Sequence, residues 1–161
     1  MTKRDPFNPV DDDARALART LLETATYAAL AVIEDGHPSV TRIALATTPE
    51  GSPLSLVSDL SSHTQALDQN PTCSILVGEP EDRGDPLTHP RITLQATAEF
   101  IRHGDAAYPA LRAHYLSQRP KAKLYIDFAD FRLVRFDITT ALLNGGFGKA
   151  YRLRPQDILR H

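Results

Sequence analysis

The sequence predicts an α+β protein dominated by strands, a mostly antiparallel barrel with helices at its periphery. Two observations carry this. Apolar residues fall in short runs or alternate with polar ones at period two, as in strands. The element order reads helix, three strands, helix, two strands, helix, strand, and tight turns join the strands, so hairpins prevail over βαβ crossovers.

From the N-terminus, 11–24 reads as an amphipathic helix. Ala14, Leu17, Ala18, Leu21 and Leu22 recur at helical spacing after the acidic start Asp11-Asp12-Asp13, which suits the helix dipole. The run 27–33 is a buried strand, and Glu34-Asp35-Gly36-His37-Pro38 supplies hairpin chemistry. One strand over 39–47, a turn over 48–53 and a strand over 54–58 complete a meander. Ser62-His63-Thr64-Gln65 matches a capping box, and Asn70-Pro71 gives a stop. A strand over 72–78 precedes a polar, proline-rich loop over 79–90. Over 91–101, Ile92, Leu94, Ala96, Ala98 and Phe100 take one face, with Thr93, Gln95, Thr97 and Glu99 on the other. Asp105 is placed to cap a helix ending near Ser117, and Arg119-Pro120-Lys121 opens a helical turn. A long strand over 131–143 sets Val134, Phe136 and Ile138 at period two, before the glycine-rich Asn144-Gly145-Gly146-Phe147-Gly148.

A chain of 161 residues suits one domain, 1–161, with 1–10 read as a flexible N-terminal arm. Hydrophobic residues at 42% and charged residues at 24% describe an ordinary globular chain. No apolar run approaches a membrane span, and the N-terminus has no apolar stretch of the secretory kind, so the expectation is a cytoplasmic protein away from membranes. The lone Cys73 rules out an intrachain disulfide and a thiolate cluster. A net charge of -2 argues against coating nucleic acid. The histidines lack metal-ligand spacing, and neither a nucleophile elbow nor a dinucleotide fingerprint is present.

Three places could carry chemistry. Arg42 shares a strand face with Val40, Ala44 and Ala46, which leaves room beside a fixed guanidinium suited to phosphate; the plainer reading is a surface arginine. Ser58-Asp59-Leu60-Ser61-Ser62-His63-Thr64 crowds hydroxyls and an imidazole at a strand-to-helix junction, where unpaired N–H groups favour an anion; ordinary capping is the alternative. Gln95, between Thr93 and Thr97 on a polar face, can both donate and accept hydrogen bonds.

Ser39-Val40-Thr41-Arg42, Ser58 through Thr64, Gly84-Asp85-Pro86-Leu87-Thr88-His89-Pro90-Arg91 and Gly145-Gly146-Phe147-Gly148-Lys149-Ala150, in that order, resemble the pyridoxamine 5'-phosphate oxidase-related FMN-binding split barrels, within them the haem-utilisation (HugZ-like) branch. The resemblance runs from about Asp11 to Tyr151. It implies a six-stranded antiparallel split barrel and a homodimer with FMN between the subunits. It also implies a phosphate held by Arg42, Ser61, His63 and Thr64, with the backbone of Ile43 and Ala44 and the side chains of Ser58 and Gln95 near the flavin ring. The implied function is FMN-dependent oxidoreduction of a small molecule, with no side chain assigned as catalytic. The alternatives are a haem-binding or haem-degrading protein, with His161 as candidate iron ligand, or a flavin-binding protein without catalysis.

Overall fold

The computed structural model describes residues 3–160. Helix α1 (Asp12–Thr24) is followed by β1 (Tyr27–Glu34), β2 (His37–Ala44), β3 (Ala46–Thr47) and β4 (Pro53–Ser58). Then come α2 (Ser62–Gln69), β5 (Thr72–Val77), β6 (Arg91–Ile101), α3 (Tyr108–Gln118), β7 (Phe131–Asn144), β8 (Ala150–Leu153) and α4 (Pro155–Ile158). Short 3-10 turns at Pro86–Thr88 and Pro120–Leu124 punctuate the connections. Asp11 caps α1, its carboxylate accepting the Ala14 N–H at 2.8 Å. Asp35 and Gly36, at φ of 50° and 78°, make the two-residue turn that pairs Glu34 with His37.

The strands form one antiparallel sheet in the order β2-β1-β5-β6-β7-β4-β3, with β8 on the free part of β7. β7 is long enough to serve both neighbours: Phe131–Arg135 pair with β4 and Ala141–Asn144 with β8. The sheet curls around Leu30, Ile75, Leu94 and Phe136, closed by Ala14, Ala18 and Leu22 of α1. A second cluster packs Leu54, Leu56 and Leu133 against Tyr108 and Tyr115 of α3.

The expected count of six strands is corrected to eight among the described residues, for two reasons. The strand expected over 39–47 breaks at Leu45. There the Leu45 N–H turns to the Thr26 carbonyl (2.9 Å), while Arg119 donates to the carbonyls of Leu45 and Ala25, each at 2.8 Å. The glycine-rich segment is a turn rather than an end, and it returns the chain as β8. Two helix starts also move. Ser61, not Ser62, is the N-cap of α2, and no side chain closes a capping box because the Thr64 N–H binds the Ser61 carbonyl (3.1 Å). Helix α3 begins at Tyr108 because Pro109, lacking an N–H, fits the first turn. Asp105 instead accepts the Arg102 N–H (2.8 Å) in the preceding turn.

Gly78 has φ +112°, and a Cβ there would lie 2.6 Å from the Pro90 carbonyl oxygen and 2.8 Å from Arg91 Cα. Strands β5 and β6 therefore leave and re-enter the sheet in backbone contact. Between them, buried His89 accepts the Glu81 N–H at Nδ1 (3.2 Å) and lies 2.7 Å through Nε2 from the Arg83 carbonyl.

Candidate functional site

Period two sets which side chains β2 sends outward. Ser39, Thr41 and Ile43 turn toward the core while Val40 and Arg42 are exposed, as the sequence suggested. Ala46 leaves that face, being buried beyond the break at Leu45. Pairing extends the outward face across the sheet in continuous rows. One row runs Arg42, Ala29, Leu76, Thr93, Leu142, Arg152. The next runs Val40, Ala31, Ser74, Gln95, Thr140. Both are uncharged apart from the terminal arginines. The face exposes Tyr27, Ile33, Val40, Leu76 and Leu142.

Arg42 stacks over the Tyr27 ring at 5.2 Å from its centroid. Among the described residues no carboxylate lies within ion-pair distance of it. It lines a pocket of about 250 Å³ with Tyr27, Ala29, Val40 and Glu79. Ile43 is buried, so only its backbone can reach a ligand, and the Ala44 carbonyl accepts the Ser55 hydroxyl at 2.6 Å. Gln95 lies elsewhere on the same face, in a groove of about 400 Å³ with Ala31, Ile33, Pro38, Ser74 and Thr139. Three strands and two residues separate it from Arg42, on the order of 16 Å.

Beyond the β3–β4 pairing, Ala46 with Leu54 and Thr47 with Pro53, no ladder joins β2 to β4 among the described residues. The Ser58 hydroxyl donates to Asp130 (2.9 Å) and accepts the Leu60 N–H (3.2 Å), so it is engaged in the turn that leads into α2. No hydrogen bond joins Arg42 to that turn among the described residues. The first turn of α2 has no side-chain cap at Ser61, and the Thr64 hydroxyl is buried without a partner. Both are features that an anion would satisfy. Half-buried His63 has Glu34 as its charged neighbour, at the hairpin end remote from Arg42. Burial lowers its pKa, and Glu34 offsets part of that. His161 lies outside the described residues.

Arg132 of β7 holds α2 in place and went unnoticed in the sequence. Its buried guanidinium sits 2.6 Å from Asp59, before α2, and 2.5 Å from Asp68, near its end, with the Phe100 ring centroid at 4.0 Å. The signal was present: Arg132 shares the strand parity of Val134, Phe136 and Ile138, and an arginine on a core face requires partners. Tyr27 and Glu79 were missed because only pairing brings them beside Arg42.

Residues 9–158 match the family described as CREG, beta-barrel. The chain is 38% identical over 122 residues to the non-canonical heme oxygenase HOZ, chloroplastic, of Arabidopsis thaliana, a match covering 70% of this chain and 36% of that protein. It thus spans about a third of this curated relative. A haem-binding protein from Mycobacterium smegmatis shares its structure at a TM-score of 0.81 and 29% identity, over 92% of this chain and 61% of the other. A protein related to general stress protein 26, of the pyridoxinephosphate oxidase family, from Clostridium acetobutylicum shares the fold at a TM-score of 0.66 and 13% identity, over 90% and 96% of the two chains. No helix among the described residues is long and apolar enough to cross a membrane.

Proposed function

Because this chain belongs to the CREG beta-barrel family, we propose that it is a haem-handling protein, with haem lying on the outward sheet face as substrate or cargo. The observation that carries this reading is the make-up of that face: uncharged rows several strands wide, a groove of about 400 Å³ lined by Ala31, Ile33 and Pro38, and arginines at the margins. A porphyrin is a flat apolar ring with two carboxylates on one edge, so it needs an extended uncharged surface bordered by cations. The haem-binding and haem-oxygenase relatives support the same reading. No described histidine is assigned to the iron.

A second reading, FMN, rests on a different observation. Unpaired Arg42 is one group a phosphate ester would engage; the uncapped start of α2 and the orphan Thr64 hydroxyl, with Ser61 and His63 beside those two, are the others. Bound FMN would supply the redox chemistry, while the protein would hold its phosphate and border its ring. Both readings call for a homodimer, since Tyr27, Val40, Leu76 and Leu142 form an apolar sheet face that a second copy would cover.

Titration of the purified chain with haemin tests the proposal. The expected result is a Soret band saturating at one haem per chain. No Soret change, together with quenching of FMN fluorescence, would replace haem by flavin. In the flavin case Arg42→Ala should weaken FMN at least tenfold, about 1.4 kcal/mol.

A further inference from the structure

We propose a second anion site, for a carboxylate carried on an aromatic or apolar body, at the corner of the outward face opposite Arg42, between Arg91 of β6 and Arg152 of β8. The site goes beyond the haem and flavin readings and depends on neither of them. A pocket of about 210 Å³ lies there, lined by Phe7, Arg91, Thr93, Leu142, Asn144 and Ala150.

The register brings its donors together. Arg91 pairs with Asn144 and Asn144 with Ala150, while Thr93 pairs with Leu142 and Leu142 with Arg152. The two arginines therefore stand two strands and two residues apart, about 12 Å between Cα atoms. Side chains of this length can meet over Asn144 and Leu142.

Each guanidinium is held, yet neither has a carboxylate partner among the described residues, where Arg112 and Arg132 are both paired to aspartates. Arg152 lies over the Phe7 ring at 4.5 Å. Stacking fixes its plane and leaves its N–H edge open. Phe7 is kept there by Asn8, which donates its backbone N–H to Ala150 and its side-chain amide to Gly148, both at 2.8 Å. Arg91 is steadied by the Leu87 carbonyl at 3.1 Å. The Asn144 side-chain oxygen accepts the Gly146 N–H (3.0 Å), so its NH₂ is the group left to present.

Arg91 and the Asn144 NH₂ line the pocket, Arg152 stands at its edge on the Phe7 ring, and no acidic side chain lines it, which selects an anion. Phe7 and Leu142 beside them supply apolar wall, which selects an organic acid over a bare inorganic ion.

Isothermal titration of the full chain with phthalate, an aromatic dicarboxylate, provides the test. Saturable binding of one phthalate per chain is expected, weakened at least tenfold in Arg91→Gln and in Arg152→Gln. Arg152→Lys, which keeps the charge but loses the fork and the stack, should fall between. Arg42→Ala should bind phthalate as the wild type does, which separates this site from the Arg42 pocket; the haemin and FMN titrations report on the other readings independently. Circular dichroism melts confirm that the variants fold. Absence of phthalate binding in the wild type, or unchanged affinity in both glutamine variants, overturns the proposal.

Discussion

Replacing Arg132 with methionine removes the guanidinium that ties α2 to β7 while keeping an apolar stem against Phe100. The arginine side chain is 8% exposed, but its partners Asp59 and Asp68 are 44% and 41% exposed. Stranding a fully buried charge costs about 3–5 kcal/mol, whereas a fully exposed pair contributes about 0–1 kcal/mol. Here the carboxylates left behind regain water, so each contact counts for roughly 1 kcal/mol. The lost cation–π contact with Phe100 adds about 1 kcal/mol. The expected destabilisation is about 2–3 kcal/mol, a Tm lower by roughly 5–10 °C for a chain of this size. Urea denaturation of Arg132→Met, Asp68→Asn and the double variant measures both the loss and the coupling. A loss under about 0.5 kcal/mol, or no coupling between Arg132 and Asp68, would refute the reasoning. Because Asp59 and Asp68 flank α2, the same substitution should also weaken anion binding at the start of that helix.

Two further outcomes follow from titratable groups. Asp157 is buried, which by itself would raise its pKa, but the Arg154 N–H at 2.8 Å and Arg15 Nε at 2.9 Å prevail and hold it below the usual carboxylate range. Asp157→Asn should cost about 1.5–3 kcal/mol in thermal melts at neutral pH, a difference that fades as acid titrates the wild-type carboxylate; a gap persisting unchanged at low pH would contradict this. His63 loses stability in the same direction by a different route. Burial lowers its pKa, so below about pH 6.5 the unfolded chain takes up a proton that the folded chain resists, and stability falls on acidification. Urea midpoints at pH 7.5 and 5.5 should draw together in His63→Gln relative to wild type, and parallel shifts in the two proteins would count against the assignment.

What could be read from the chain divides by the range of the interactions involved. The acidic start of α1, the Asp35-Gly36 turn and the outward parity of Arg42 depend on neighbours a few residues away, and each was legible; that Asp11 caps the helix rather than opening it was not. The break at Leu45 depends on Arg119, far along the chain, so a run that reads as one strand becomes two. The α2 cap misled because Ser61, Ser62 and Thr64, three hydroxyl residues within four positions, can each imitate the motif, and backbone geometry chooses among them. For the candidate site, the outward positions of Arg42 and Gln95 were visible in the alternation, but not their separation, which the strand order alone fixes. Arg91 and Arg152 were out of reach for the same reason: they share a corner of the sheet only because β8 returns onto β7.

The contact between Gly78 and the Pro90 backbone seals residues 79–89 into an excursion whose two feet touch. The entropy of closing such a loop rises only slowly with its length, and His89 ties its interior together without calling on the sheet. The alignment of β5 with β6 is thus indifferent to how many residues lie between them. This is the point at which the chain can accept an inserted peptide or a reporter while Leu76 and Thr93, and the cross-strand rows they belong to, stay where they are.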